Sequence, residues 1–305
     1  MGQDATERVL DTLLSGQLLF AAVAISATYA LVALGLNLVY GTMRLLNVAH
    51  GDLVMLGGYG AFWAFSSAGI SPLLTLIAVA AAAAALGMLV YRGLFRGLLA
   101  SRRAIARLES NSLLLFFGLS IIIQNSVSLA LSATPRGYEY LSNVVRFGNV
   151  ALTGNRLAAL AIAVALLAAI SLFLRMHLFG LAMRALIEHR EAAAVVGVDI
   201  DRVQLASFGL GFGTAAVAGA LVSMTEQVSP FMGFPFTIAA FVVIIMGGLG
   251  RIGGGIAAAL VLGVIETYGV AMTSTSWRSI LLYGVFVLVL MFRPQGLFGR
   301  RAVVR

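Results

Sequence analysis

Nine long apolar stretches, separated by short polar segments, are the feature of this sequence that most constrains its fold. They lie at residues 17–40, 53–70, 73–91, 111–133, 157–174, 203–225, 236–250, 254–272 and 276–292. A bilayer interior offers backbone N–H and C=O groups no partner, so segments of this length must be helical to satisfy their own hydrogen bonds. The sequence therefore predicts an all-α polytopic transmembrane bundle, a single domain over residues 1–305, with about nine crossings in a range of roughly eight to ten.

One stretch, 236–250, is short for a crossing. Fifteen residues at about 1.5 Å each fall below the roughly 30 Å hydrocarbon core, which favours a half-helix that turns back with 254–272. The glycine-rich sequence MGGLGRIGGG (Met246–Gly255) joins the two. A tight turn with close helix packing is the favoured interpretation, and a broken helix whose backbone lines a substrate path is the alternative. The candidate positions for a helix break are Gly247, Gly248, Gly250 and Gly253.

The charged residues indicate membrane orientation rather than nucleic-acid binding. The chain is 61% hydrophobic and 10% charged, with a formal net charge of +8. Its basic residues are all arginines, and they lie at the ends of the apolar stretches rather than on one polar face. Fifteen of the 20 would be cytoplasmic if the C-terminus lies inside and the N-terminus outside. This asymmetry predicts a membrane protein with its N-terminus outside and its C-terminus in the cytoplasm.

Polar residues cluster where the first apolar stretch gives way to the second. Asn47, His50, Gly51 and Asp52 lie in the sequence LNLVYGTMRLLNVAHGDLVMLGGY (Leu36–Tyr59). Polar groups held between two bilayer-crossing segments are costly unless they are paired, solvated or used in function. These four residues are therefore candidates for a translocation pathway, and the cluster indicates a membrane protein that moves a solute.

Enzymatic and metal sites are poorly supported. His50 and Asp52 are two residues apart and point to different helix faces, and no serine motif accompanies them. His177 and His189 lie twelve apart in a charged loop, and the sequence contains no Cys. Glu226 and Glu266 lie toward the outer ends of their spans, where they can reach interface water or Arg278, so proton coupling is disfavoured. We predict no catalytic residues, no metal and no cofactor.

Two segments outside the membrane are long enough to carry structure. Residues 134–156 mix aromatic, β-branched and turn residues, which favours a short hairpin or an interfacial helix. The inner loop 175–202 contains Glu191, Ala192 and Ala193 followed by Gly197, a pattern that suits a short helix ending at a glycine. Such a helix is suited to dock into a groove of a soluble partner, and a solvated connecting loop is the alternative.

Several segments resemble the permeases of the bacterial branched-chain amino-acid ABC-importer family. They cover most of the chain in the expected order, and they match the shorter of the two permease types in that family. The matching segments are Gly35–Trp63, Met183–Leu221, Gly247–Glu266 and Met291–Gly299.

The resemblance implies an integral subunit of an ATP-driven importer without catalytic chemistry of its own. A second permease, expected to be a paralogue, would complete the pore, two cytoplasmic ATPase subunits would drive it, and a periplasmic binding protein would deliver the substrate. Glu191, Ala192, Ala193 and Gly197 match the EAA-x3-G pattern through which many importer permeases contact their ATPases. The resemblance thus favours an ATPase-coupling role for 175–202.

The resemblance leaves the substrate and the roles of the polar cluster open. Branched-chain or other hydrophobic amino acids are the leading expectation, with urea, amides or other amino acids as alternatives. An ion-coupled carrier is disfavoured because almost no ionisable group lies at mid-membrane. For the cluster, Gly51 is expected to permit a helix break while Asn47, His50 and Asp52 satisfy exposed backbone groups. Direct substrate contact is the alternative.

Overall fold

The computed structural model describes residues 15–97, 108–148, 150–293 and 296–297. The arginine distribution predicts on which side of the membrane each chain end lies, but both ends fall largely outside the described residues. Residues 98–107 and part of the Met291–Gly299 motif also lie outside them. The described helices and strands, numbered in chain order, are α1 (Gly16–Met43), α2 (His50–Ala68), α3 (Pro72–Val90, extended by a π-helical turn at Tyr91–Phe95), α4 (Leu108–Leu131), β1 (Val144–Phe147), β2 (Val150–Thr153), α5 (Gly154–Met176), α6 (Leu178–Glu188), α7 (Arg190–Val195), α8 (Ile200–Ser223), α9 (Gly233–Gly247), α10 (Ile252–Met272) and α11 (Arg278–Phe292, preceded by a 3-10 turn at Thr275–Trp277).

A helix occupies each of the nine predicted spans, which confirms a polytopic helical protein. Within the described residues, seven are long and apolar enough to cross a membrane: α1, α3, α4, α5, α8, α10 and α11. The other two helices, α2 and α9, do not meet this criterion, each for its own reason. Helix α2 carries His50 and Asp52 in its first turn and is less apolar, while α9 has only 15 residues. The short helix expected at 236–250 is therefore present, and the exact number of crossings stays a prediction.

The segment between α4 and α5 contains the hairpin expected as one of two options for residues 134–156. Strand β1 pairs antiparallel with β2, with Val144 opposite Thr153 and Phe147 opposite Val150. We call the end of the bundle that carries this hairpin the outer end, and the end that carries α6 and α7 the inner end. Tyr138 lies in the same segment with its hydroxyl 3.0 Å from Ser223 Oγ. Burial raises the pKa of the Tyr138 phenol, which keeps it a neutral hydrogen-bonding group.

Helix α8 forms the centre of the bundle and packs against α1, α2 and α3. Small residues make these contacts. A methyl group added at Gly219 would overlap the carbonyl oxygen of Val54 in α2, and one added at Gly57 would overlap that of Ala216. Helices in a membrane gain little from the hydrophobic effect on association, so backbone approach of this kind supplies van der Waals contact instead.

The bundle predicts that residues on either side of α5 are accessible from opposite faces of the membrane. The native chain has no Cys, so labelling of an introduced cysteine has no background from other thiols. Suitable positions are Ser142, in the exposed segment before β1, and Val195, in the exposed helix α7. We expect a membrane-impermeant maleimide to label one of them from outside intact cells and the other only after the inner face is opened. Cysteine at Ala193, which is buried, is the matched control and should stay unlabelled in both conditions until the protein is denatured. Labelling of both Ser142 and Val195 positions from the same side would contradict the crossing of α5.

Candidate functional site

The segment between α1 and α2 folds back into the bundle. Helix α1 ends at Met43. The next residue, Arg44, adopts a left-handed conformation with φ 59° and donates its N–H to the Tyr40 carbonyl at 2.7 Å. Six residues later, His50 Nε2 lies 2.9 Å from the carbonyl oxygen of Val32. Val32 is about 16 Å from the end of α1 at 1.5 Å per residue. The linker 44–49 therefore returns along α1, and α2 begins deep inside the bundle.

The start of α2 is held by side chains from two other helices. The Gly51 N–H donates to Thr237 Oγ1 at 2.8 Å, and this hydroxyl donates in turn to the Val48 carbonyl at 3.1 Å. From α4, Gln124 Nε2 donates to Asp52 Oδ1 at 2.9 Å. Thr237 thus satisfies two backbone groups of the non-helical entry to α2, which is what a polar backbone segment inside a membrane requires.

The structure brings the four candidate pathway residues together, and their geometry corrects the expectation for Gly51. All four are buried, and none of them lines the three cavities described below. The helix break lies at Arg44, whereas Gly51 is the second residue of α2. A Cβ at Gly51 would overlap the carbonyl oxygen of Gly233 and the Thr237 hydroxyl. Gly51 therefore allows α2 and α9 to start in contact.

The three polar side chains of this cluster do not all bond to backbone groups. His50 contacts a backbone carbonyl as expected, although that carbonyl belongs to α1. Asp52 is held by the side chain of Gln124. The Asn47 side-chain amide, His50 Nδ1 and Asp52 Oδ2 are buried without a hydrogen-bond partner among the described residues.

The glycine-rich segment forms a four-residue turn between α9 and α10. Gly247 is the last residue of α9, Gly248 and Gly250 have φ values of 84° and 81°, and Gly253 lies in the first turn of α10. The Gly250 N–H donates to Asn37 Oδ1 in α1 at 2.8 Å. Gly250 and Gly253 also line an inner cavity of about 430 Å³, together with Arg175, Arg184, Glu188 and Arg251. The segment is thus a tight turn that borders an inner cavity.

The residues of the EAA-x3-G pattern form a short exposed helix at the inner end. The His189 side chain caps α7 by accepting from the Ala192 N–H at 3.2 Å. Ala193 is buried, whereas Glu191 and Ala192 are exposed, and Val195 and Val196 are 87% and 76% exposed. Gly197 follows α7 with a φ of 85° and open space around its Cα. The expected helix ending at a glycine is present, and it presents an apolar edge to its surroundings.

Helix α6 connects this exposed helix to the bundle core. Its Met183 and Leu186 are buried, and Ile187 packs against Gly41 near the inner end of α1. The same Ile187 side chain lies against Gly250 in the glycine turn. One side chain of α6 therefore contacts both α1 and the α9–α10 turn.

A charged network lies near the outer end of the bundle. Glu266 in α10 is buried, and it accepts from the Tyr29 hydroxyl at 2.6 Å and from Arg278 Nε at 2.5 Å. Arg278 was one of two partners that the sequence offered for Glu266, interface water being the other, whereas the contribution of Tyr29 was missed. Tyr29 and Glu266 are 237 residues apart, and no local pattern joins them.

Two outer cavities adjoin this network, with volumes of about 220 and 190 Å³. Both are lined by Arg278, Glu226 and Phe236. The larger one is also lined by Arg156 of α5 and by apolar residues that include Leu160 and Leu221. The smaller one has Leu282 and Met232 in its wall. Each cavity thus presents charges of both signs beside an apolar surface.

Comparisons with known proteins give a consistent result. The family model described as "Branched-chain amino acid transport system / permease component" matches residues 18–290. The branched-chain amino acid transport system permease protein LivH of Escherichia coli strain K12 is 32% identical, covering 94% of this chain and 96% of the relative. BraD of Pseudomonas aeruginosa is 31% identical over the same shares, and LivM of Escherichia coli strain K12 is 29% identical over 88% of this chain and 67% of LivM. No solved structure matches the chain significantly.

The contact between α2 and α9 predicts that Gly51→Ala destabilises the protein. The added methyl group meets the backbone of Gly233, which cannot rotate away, and overpacking of this kind typically costs about 1–3 kcal/mol. We expect a lower thermal midpoint for the purified variant in detergent. Gly118→Ala is the matched control, because Gly118 lies in helix α4 and no neighbouring atom lies within 4 Å of the position that its Cβ would take. Equal midpoints for the two variants would contradict the close contact.

Proposed function

The chain belongs to the branched-chain amino acid transport permease family, and on that premise we propose that it is a membrane-spanning subunit of an ATP-driven importer for branched-chain amino acids. The observation that carries this proposal is the match to the family model over residues 18–290, together with full-length similarity to the LivH and BraD permeases. The helical bundle, with seven helices apolar and long enough to cross a membrane among the described residues, agrees with a multi-pass inner-membrane protein.

We infer that a second, paralogous permease completes the translocation pathway. The chain is similar to relatives of both permease types, the LivH type and the longer LivM type. A paralogous partner would share the fold, so the two chains could pair around an approximate two-fold axis. Helices α3, α4, α5 and α11 are mostly exposed along their apolar length, so the bundle offers apolar faces for this partner and for lipid.

The exposed helix α7 is proposed to dock onto a cytoplasmic ATPase. Glu191 and Ala192 face outward while Ala193 anchors the helix to the bundle, and Val195 with Val196 adds apolar surface where the chain leaves α7. A short helix with this surface suits a groove on a soluble partner. ATP hydrolysis is thus assigned to separate subunits, and the side that carries α7 is assigned to the cytoplasm because the predicted inner segments hold 15 of the 20 arginines.

Coupling is proposed to run through Ile187. A displacement of α6 and α7 by the ATPase moves Ile187, which contacts α1 at Gly41 and the glycine turn at Gly250. Ile187 and Gly250 also line the inner cavity. Movement of packed helices against one another is a common route between outward-open and inward-open forms. A periplasmic binding protein is expected to deliver the substrate at the opposite, hairpin-bearing end.

This proposal predicts that Gly197→Val lowers ATP-dependent leucine uptake at least tenfold while the protein still inserts. A β-branched residue is strained at a φ of 85°, so the end of α7 must change its path. Uptake is measured in proteoliposomes that contain the permease pair, the ATPases and the binding protein. Co-purification of the ATPase with the variant should fall in parallel.

Gly148→Val is the matched control for that variant. Gly148 also has a positive φ, 59°, and also lies in open space, but it belongs to the outer hairpin turn. Its uptake and its ATPase association should stay near those of the unchanged chain. Glu191→Lys should behave like Gly197→Val, since it reverses an exposed charge on α7. Normal uptake by both inner-end variants would overturn the docking assignment.

A further inference from the structure

The buried carboxylate of Glu266 has no role in the proposed coupling through Ile187. Its side chain is 3% exposed, in a helix that is otherwise apolar. A carboxylate inside a membrane segment is costly unless charged and hydrogen-bonding partners compensate it. Here both oxygens are partnered, one by Tyr29 and one by Arg278 Nε. The network satisfies Glu266, and its structural consequence is a fixed position for Arg278.

Arg278 is placed at the boundary between the network and open space. Its side chain is 39% exposed, although it pairs with a carboxylate that is almost fully buried. Both outer cavities are lined by Arg278, so the exposed part of the side chain borders them. A guanidinium held on one edge by Glu266 presents a pre-oriented fork of donors on the other edge, which suits a carboxylate ligand.

Glu226 supplies the opposite charge in the same cavities. It follows α8, is exposed, and lines both cavities together with Arg278. An ionised carboxylate accepts hydrogen bonds and suits an ammonium group. Phe236 lies in both walls, with Leu160 and Leu221 in the larger cavity and Leu282 in the smaller one. A cation, an anion and an apolar wall are therefore present within one small space.

We propose that the larger outer cavity is a recognition site for the zwitterionic group of a single amino acid. Arg278, supported by Arg156, binds the α-carboxylate, Glu226 binds the α-ammonium group, and the apolar wall receives the aliphatic side chain. The volume of about 220 Å³ is small beside the roughly 300–1,000 Å³ of drug-sized ligand sites, which fits one amino acid better than a peptide. This inference rests on the proposed import of amino acids and adds selection by the permease itself.

The test uses the detergent-solubilised complex of the two permeases and their ATPases without the binding protein, so that only the membrane subunits select. Binding of radiolabelled leucine is measured by competition with leucine, with 3-methylbutylamine, which lacks the carboxylate, and with 4-methylpentanoate, which lacks the ammonium group. We expect saturable leucine binding, with both analogues at least tenfold weaker.

The variant Glu226→Gln identifies the ammonium contact. It should weaken leucine binding at least tenfold and leave the binding of 4-methylpentanoate unchanged, because that analogue has no ammonium group for Glu226 to bind. Glu139→Gln is the matched control, since Glu139 is an exposed acid in the outer segment before β1 and lines neither outer cavity. Arg156→Gln should weaken the binding of leucine and of 4-methylpentanoate, which both carry a carboxylate, and leave the binding of 3-methylbutylamine unchanged.

Arg278 requires a paired variant, because removing it alone leaves Glu266 buried without its cation. The double variant Arg278→Gln with Glu266→Gln keeps hydrogen-bonding groups at both positions and should lose leucine binding while remaining monodisperse. Absence of saturable leucine binding to the unchanged complex at millimolar concentration, or equal leucine binding by Glu226→Gln and Glu139→Gln, would overturn the site.

Failure of the site and failure of the proposed function give different results. Uptake of leucine by the unchanged complete importer tests the function. If that uptake is present and Glu226→Gln binds leucine normally, amino-acid import stands and the recognition site is wrong. If the unchanged importer takes up urea or an amide and no leucine, the proposed substrate is wrong, and the zwitterion site falls with it.

Discussion

The backbone N–H and C=O groups inside this bundle need hydrogen-bond partners within the protein, because the surrounding hydrocarbon offers none. The non-helical linker 44–49 shows what this requires. Its Val48 carbonyl and the following Gly51 N–H are both satisfied by one threonine hydroxyl, that of Thr237. A hydroxyl that donates and accepts at once is well suited to a backbone turn in a dry environment. The start of α2 deep in the bundle therefore depends on a residue of α9.

Close backbone contact is the second requirement, and it is met by residues without side chains. Helix α8 touches α2 where Gly219 meets Val54 and where Ala216 meets Gly57. Because lipid tails are as apolar as leucine, a larger side chain at these positions would gain nothing from burial and would separate the helices. Gly219 of α8 and Gly57 of α2 thus serve the close packing of these two helices.

The sequence predicted those parts of the molecule that depend on local patterns. The helices in the nine predicted spans and the helix that ends before Gly197 follow from apolar length or spacing. The outer hairpin was one of two structures that the composition of 134–156 favoured. Contacts between distant segments were not accessible in this way. Thr237 lies within an apolar stretch, and nothing near it in the sequence indicates that it bonds Gly51, 186 residues away. The role of Gly51 was misassigned for the same reason, since its neighbour Gly233 is visible only in the folded bundle.

Helix α1 links the inner and outer features of the structure. Gly41 meets Ile187 of α6, Asn37 accepts from the glycine turn, Val32 accepts from His50, and Tyr29 donates to Glu266. Tyr29 and Gly41 are twelve positions apart, or about 18 Å along one continuous helix. A helix with intact backbone hydrogen bonds moves as a unit, so a shift at Gly41 alters the position of Tyr29 and with it the support of Arg278. The proposed recognition site and the proposed docking helix are therefore mechanically connected through α1, and binding at one end is expected to change affinity at the other, in the reciprocal manner that linkage demands.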